Sequence, residues 1–207
     1  MTDLFYSGLE TNDFSEWDAT QLSGSYLTIT SLPVYKGSYS GKMVGDLWYE
    51  PFAQDNNSVP AVFPYWVTGK IRISSLIINS GTWTVEFLGV GDSACWGGVG
   101  CGGVALAVRA TATTWKIGLW DVYNFTFYEH DDLLFDVWYN ITLKIESNKA
   151  TLYIGSSEVA TFTDANIGNY DTVFSAIGNE SARDSASVVY VGEPLYTSTP
   201  FALNTVS

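Results

Sequence analysis

The sequence predicts an all-β fold, an antiparallel β-sandwich, on three observations. No stretch of about twelve residues combines an i, i+3, i+4, i+7 apolar pattern with caps at both ends, so helices are not expected. Short runs of β-branched and aromatic residues recur instead, bounded by Gly, Asn, Ser and Asp. In the clearest of these runs, apolar and polar residues alternate strictly, as in a strand with one face on a core and one in water.

Strands are expected at 26–30, 41–45, 70–79, 82–90, 104–109 and 115–120, and then at 122–129, 138–146, 150–154, 158–162, 172–177 and 187–191. In 70–79, Ile71, Ile73, Ser75 and Ile77 alternate against Lys70, Arg72, Ser74 and Leu76. In 115–120, Trp115, Ile117 and Leu119 oppose Lys116, Gly118 and Trp120. In 138–146, Tyr139, Ile141, Leu143 and Ile145 share the core side, while Asn140, Thr142, Lys144 and Glu146 share the other. Asn148-Lys149 then turns the chain into 150–154, where Leu152 and Ile154 point inward, and Gly155-Ser156-Ser157 leads into 158–162. These last three segments form a meander.

The chain has 207 residues, 46% of them hydrophobic and 15% aromatic, enough for a sizeable core in one domain. No repeat of roughly 20–50 residues and no Pro-rich linker divides it. Residues 1–196 are read as the sandwich and 197–207 as a tail or arm. Charged residues make up only 15%, so the surface draws its polarity from Ser, Thr, Asn, Gly and Tyr, as extracellular and virion surfaces do.

The net charge of −13 repels phosphate backbones and anionic lipid, which argues against nucleic-acid partners. No apolar run reaches the roughly 18 residues of a membrane span, and residues 1–6 lack a basic n-region before an apolar stretch, so neither membrane insertion nor a secretory signal is expected. One histidine and two cysteines exclude a poly-His centre and Cys₄ or Cys₂His₂ zinc sites.

Three segments carry a resemblance. Leu9-Glu10-Thr11-Asn12-Asp13-Phe14-Ser15-Glu16-Trp17 is similar to an "F-E-S-G-D-F-S-x-W" opening, and Val34–Met43 is similar to "V-x-x-G-x-Y-A-x-K". Trp138–Lys144 followed by Ala150–Ile154 is similar to a "W-Y-x-V-x-L … A-T-L-Y-V-D-G" hairpin. In this order the segments resemble the concanavalin A-like (laminin-G-like) jelly-roll superfamily, in the form common in extracellular and phage proteins. The resemblance implies a two-sheet jelly roll of about 12–14 strands. It also implies a structural calcium held by Glu10, Asp13 and Glu193, although Tyr190-Val191-Gly192-Glu193 stands where relatives carry "Y-V-D-D". Surface carboxylates of an acidic protein are the plainer account of the three. No other cofactor is expected.

The same resemblance frames the search for catalysis. Laminarinase-like relatives supply two carboxylates as E-x-D-x-x-E, and alginate-lyase-like relatives carry an Arg-rich strand and a Q-I-H or Q-V-H strand. None of these occurs here. The densest polar cluster, Glu129-His130-Asp131-Asp132, follows an aromatic strand and admits a lyase or hydrolase using His130 with Glu129 or Tyr128. Neighbours in a strand point to opposite faces, so an acidic turn into Leu133 is the plainer account.

Cys95 and Cys101, with Trp96 and glycines between them, can close a small disulfide loop that displays Trp96. Its contribution is about 2–3 kcal/mol on the chain-entropy account, and it favours an oxidising compartment. Eight Trp and 13 Tyr exceed what one core needs. Trp48-Tyr49 and Tyr65-Trp66 sit in loop-like contexts beside prolines, and Trp120 lies on the face opposite Trp115, so that one of these two lies away from the main core. Trp48, Tyr49, Tyr65, Trp66, Trp96 and Trp120 are the candidate glycan platforms. Asn56, Asn124, Asn140 and Asn179 head N-x-S/T sequons.

The reading that follows is a non-catalytic surface-binding module for a glycan or cell-surface polysaccharide. The rivals are a homo-oligomeric or virion or filament subunit, and a jelly-roll polysaccharide lyase or glycoside hydrolase.

Overall fold

In a computed structural model, described at residues 3–6, 9–17, 19–21, 26–45, 52–59, 63–78, 81–92, 103–167, 173–180 and 185–197, the alternating segments become strands. Fifteen strands and no helix occur among the described residues. In chain order they are β1 (Asp3–Tyr6), β2 (Ala19–Gln21), β3 (Leu27–Thr30), β4 (Ser40–Gly45) and β5 (Phe52–Val59). Next come β6 (Tyr65–Ile78), β7 (Trp83–Asp92), β8 (Gly103–Ala110), β9 (Trp115–Asp121) and β10 (Thr126–Asp132). The last five are β11 (Trp138–Glu146), β12 (Lys149–Ile154), β13 (Ser157–Thr163), β14 (Val173–Glu180) and β15 (Ser185–Thr197).

One sheet runs β13-β12-β11-β6-β15-β4-β3, with β1 also paired to β15; the other runs β10-β9-β8-β7-β14-β5-β2. Every described pairing is antiparallel. The expected meander is the edge β11-β12-β13, and Ile141, Leu143, Ile145 and Leu152 face inward as their alternation requires. They meet Val85, Phe87, Leu106, Val108, Ile117 and Leu119 from the seven-stranded sheet in one core. Each such side chain contributes about 1.5–3 kcal/mol on burial.

Three expectations change. Tyr65 and Trp66 are not loop residues: they open β6, Tyr65 inside the core and Trp66 buried on the outer face opposite Lys144. The alternation in β6 also breaks. The pairing with β15 slips where Ile73 and Ser75 oppose consecutive residues, so Leu76 enters the core and Ile77 is exposed. Asp136 braces this bulge, its Oδ1 accepting from Arg72 Nη2 and Ser74 Oγ at 2.7 Å each, while its N–H donates to Ile73 O at 2.9 Å. Finally, residues 122–125 are a turn rather than the start of a strand. Asp121 Oδ1 accepts from the N–H groups of Tyr123 and Asn124, both at 3.1 Å, and β10 begins at Thr126.

Loop-pinning carboxylates make the fold acid-sensitive. Glu10 is held below its ordinary pKa by the Ser38 N–H, Asp13 by the Ser15 hydroxyl, Asp136 by Arg72 and Asp164 by the Asn166 N–H. A carboxyl lowered on folding contributes stability above its unfolded pKa of about 4 and loses it as pH falls through the folded value. Lys116, raised first by its hydrogen bond to Asp132, acts oppositely, losing its contribution above about pH 10. The melting temperature is therefore expected to stay flat from about pH 5 to 9 and fall steeply below about pH 4. A melting temperature at pH 2.5 equal to that at pH 7 would contradict this linkage.

Candidate functional site

The outer face of the seven-stranded sheet is built from residues that alternate with the core set. Three cross-strand rows follow from the pairing of β7, β8, β9 and β10. They are Gly89–Ala105–Trp120–Phe127, Glu86–Ala107–Gly118–Glu129 and Thr84–Arg109–Lys116–Asp132. Gly89 and Ala105 of the first row, with Ala107 and Gly118 at the centre of the second, are small and make the floor. Gly118 leaves room that the Phe127 ring occupies: a methyl there would stand 2.8 Å from Phe127 Cζ and overlap the Tyr128 carbonyl oxygen.

Aromatic side chains wall this floor on the β9–β10 side. Trp120, Phe127, Val122 and Ala107 form a buried cluster separate from the main core. Phe125 meets Trp120 edge to face at 6.1 Å, and the Arg109 guanidinium lies 4.8 Å over the Phe127 ring. Tyr123 and Phe125, on the turn between β9 and β10, are 48% and 54% exposed. Phe125 has φ 51°, a left-handed conformation that bulky residues rarely take. The turn thus holds an aromatic ring in water at a backbone cost of order 1–3 kcal/mol.

The charged row is internally paired. Lys116 Nζ lies 2.7 Å from Asp132 Oδ1 and 3.8 Å from Glu129 Oε1. Glu86 is a carboxylate only 7% exposed in the middle row.

Of the candidate residues, Trp120 rather than Trp115 is the one away from the main core, and it is 8% exposed beneath its aromatic neighbours rather than open to water. Tyr65 and Trp66 belong to the other sheet and do not join it. Trp48, Tyr49, Trp96, Cys95 and Cys101 lie outside the described residues. Tyr123, Phe125, Phe127 and Arg109 were not singled out from the sequence. The signal that could have found them is Asp121 followed by Asn124, a turn pair interrupting an aromatic run.

The cluster at 128–132 is not an acidic turn but the second half of β10, bulged between Glu129 and Asp131. Tyr128 faces inward, stacked on Phe162 with centroids 4.6 Å and planes 3° apart, and burial raises its pKa. The structure therefore brings Glu129 to Lys116 and separates it from Tyr128. His130 is exposed at the bulge, with Nε2 3.5 Å from Asp131 Oδ2.

Glu10 accepts from Ser38 N at 2.9 and 3.1 Å through its two oxygens and from Tyr39 N at 3.3 Å. Asp13 accepts from Ser15 N at 3.0 Å. Glu193 lies in β15, its side chain outside the description. Among the described residues no three His, Cys, Asp or Glu gather as a metal set.

The sequon nitrogen of Asn124 is engaged rather than open: Nδ2 donates to Asp121 Oδ2 at 2.8 Å and to Asp164 Oδ2. Asn140 is on the outer face, but its Oδ1 is buried. Asn56 and Asn179 lie in β5 and β14, with side chains outside the description.

No protein-family profile matches the sequence, and no curated protein sequence does. Solved structures do match in three dimensions. One described as "Cellulose induced protein, Cip1" superposes with a TM-score of 0.66 at 14% identity, covering 94% of this chain and 97% of that one. The alginate lyase from Corynebacterium sp. gives 0.60 at 7% identity, covering 86% and 82%. The binding domain of Paraclostridial Mosquitocidal Protein 1 gives 0.57 at 11% identity, and the match covers 97% of this chain but 50% of that one. Two antiparallel sheets face to face, superposing on these neighbours, show an all-β jelly-roll sandwich, the fold that the sequence resemblance implies.

Proposed function

We propose that the chain binds carbohydrate, without chemistry, on the outer face of its seven-stranded sheet. One observation carries this reading: Tyr123 and Phe125 stand exposed beside the Trp120–Phe127 cluster, with Phe125 held in a left-handed backbone conformation. Flat rings over a floor of Gly and Ala accept the C–H face of a pyranose, and the flanking polar row supplies hydrogen bonds to hydroxyls. The neighbours by fold include both a binding domain and an alginate lyase, so fold alone leaves binding and catalysis open.

The site favours binding. General acid–base work needs its groups within hydrogen-bond reach of the same bond, whereas Tyr128 points into the core and Glu129 is paired with Lys116. Glu86 and Glu129 end one row three strand spacings apart, about 14 Å between backbones, against roughly 5–9.5 Å for hydrolytic carboxylate pairs. A surface polar through Ser, Thr, Asn and Gly suits an extracellular or virion setting.

A glycan array followed by titration of each hit tests this reading. At least one glycan is expected to bind with a Kd between about 1 μM and 1 mM and to be recovered uncleaved. No binding at millimolar glycan would remove the proposal, and a cleaved product would replace binding with catalysis.

A further inference from the structure

Resting on that reading, a residue next to the opposite sheet joins the site: we infer that Asp164, in the segment after β13, is a positioning residue that holds the Tyr123–Phe125 turn in its binding geometry through Asn124. The turn lies outside the ladder. Pairing of β9 with β10 closes at Asp121 and Thr126, which leaves residues 122–125 without cross-strand partners in it. Val122 N donates to Gly103 O at 3.1 Å, and Asp121 Oδ1 takes the N–H groups of Tyr123 and Asn124. Phe125 follows directly in its left-handed conformation, with its ring exposed. Such a conformation persists only where the surroundings overdetermine it.

Asn124 supplies the further restraint. A side-chain amide nitrogen carries two N–H donors, and both are spent on carboxylates. Nδ2 donates to Asp121 Oδ2 at 2.8 Å, within the hairpin, and to Asp164 Oδ2, outside it. Asp164 is itself fixed. Its Oδ1 accepts from Asn166 N at 2.7 Å and Asn166 Nδ2 at 2.8 Å, and its own N–H donates to Asn148 O at 3.0 Å, between β11 and β12. The Asn166 N–H holds its carboxyl below the ordinary pKa, so at neutral pH Asn124 donates to a charged acceptor, which strengthens the bond. The turn is thereby tied to the β11-β12-β13 meander, to which Tyr128 of β10 is also joined by its stack on Phe162. A ring ordered before the sugar arrives spares the cost of ordering it on binding.

Hydrogen exchange on the full chain tests the tie without a ligand. In Asp164→Ala the amides of Tyr123 and Asn124 are expected to exchange about fivefold faster or more, while those of β11 keep their wild-type rates. Asn124→Ala removes the donor and leaves Asp164 in its own turn, and it is expected to speed exchange at Tyr123 equally. Calorimetric titration then measures the effect on binding. The probes are cellohexaose, xylohexaose, laminarihexaose, mannohexaose and a mannuronate hexamer, and the tightest is carried through the variants. Each single variant is expected to weaken it about fivefold or more, and the double variant no further than Asn124→Ala alone, because the contact is shared. In a Phe125→Asn background, Asp164→Ala is expected to change affinity by less than about twofold, since the ring that it positions is gone.

Equal losses of affinity with and without the Phe125 ring would make Asp164 a residue of the general fold. That result, or unchanged exchange or unchanged affinity in Asp164→Ala, would overturn the inference and leave carbohydrate binding standing. Silence of the wild type toward all five probes would remove the inference together with the reading beneath it.

Discussion

Gly118→Ala is expected to destabilise the protein by about 1–3 kcal/mol and to dismantle the aromatic wall at the same time. The reason is local. The new methyl would meet the Tyr128 carbonyl oxygen, a backbone atom of the neighbouring strand, and stand 2.8 Å from Phe127 Cζ. A flexible side-chain tip could swing away, but a paired backbone cannot, because Glu129 is in register with Gly118 itself. The strand must lift, and with it go the Phe127 ring and the Arg109 guanidinium resting on it. Urea denaturation should show a lower midpoint at an unchanged slope. An unchanged midpoint would mean that Gly118 is not the seat of Phe127.

Phe125→Asn should separate binding from stability. Asn tolerates the left-handed backbone that Phe125 adopts at φ 51°, so the turn set by Asp121 should persist or tighten. The exposed ring is lost, and a central aromatic contact of this kind is worth about 2 kcal/mol or more, roughly thirtyfold in affinity. The expected result is a melting temperature equal to or slightly above that of the wild type, with glycan affinity down at least tenfold. Parallel losses of stability and affinity would instead make Phe125 a structural residue.

Much of the fold is legible because period-two alternation reports directly on a half-buried strand. Residues 138–146 lie as read, and their pairing with 150–154 follows from a two-residue turn. The misreadings occur where pairing outweighs local preference. Gln54-Asp55-Asn56-Asn57-Ser58 has poor strand propensity, yet it lies in β5, where Gln54 pairs with Ala19 and Ala176 and Asp55 with Ser175. In β6, the slip past Ser74 moves Leu76 inward and Ile77 outward, and its brace is Asp136, more than sixty residues away in sequence. Such a contact leaves no local trace.

The binding face was half legible, for a related reason. Trp120 stands out because it is an aromatic on the side of its strand opposite Trp115, Ile117 and Leu119. Tyr123 and Phe125 were lost inside an alternating aromatic run that reads as strand, and only the Asp121 hydrogen bonds make it a turn. Counting aromatics raised the idea of a glycan platform without locating it, since burial depends on which sheet each ring joins. Tyr65 and Trp66 went to the other sheet, and Tyr128 went to the core.

The most direct test of the central claim is to follow tryptophan indole N–H signals by NMR while titrating a bound oligosaccharide. The account predicts that the Trp120 signal shifts with the ligand, together with backbone amides of Tyr123, Phe125 and Gly118, while Trp66 and Trp138 on the opposite sheet stay still. Shifts centred on Trp66 and Trp138, with Trp120 unmoved, would place recognition on the other face and contradict it.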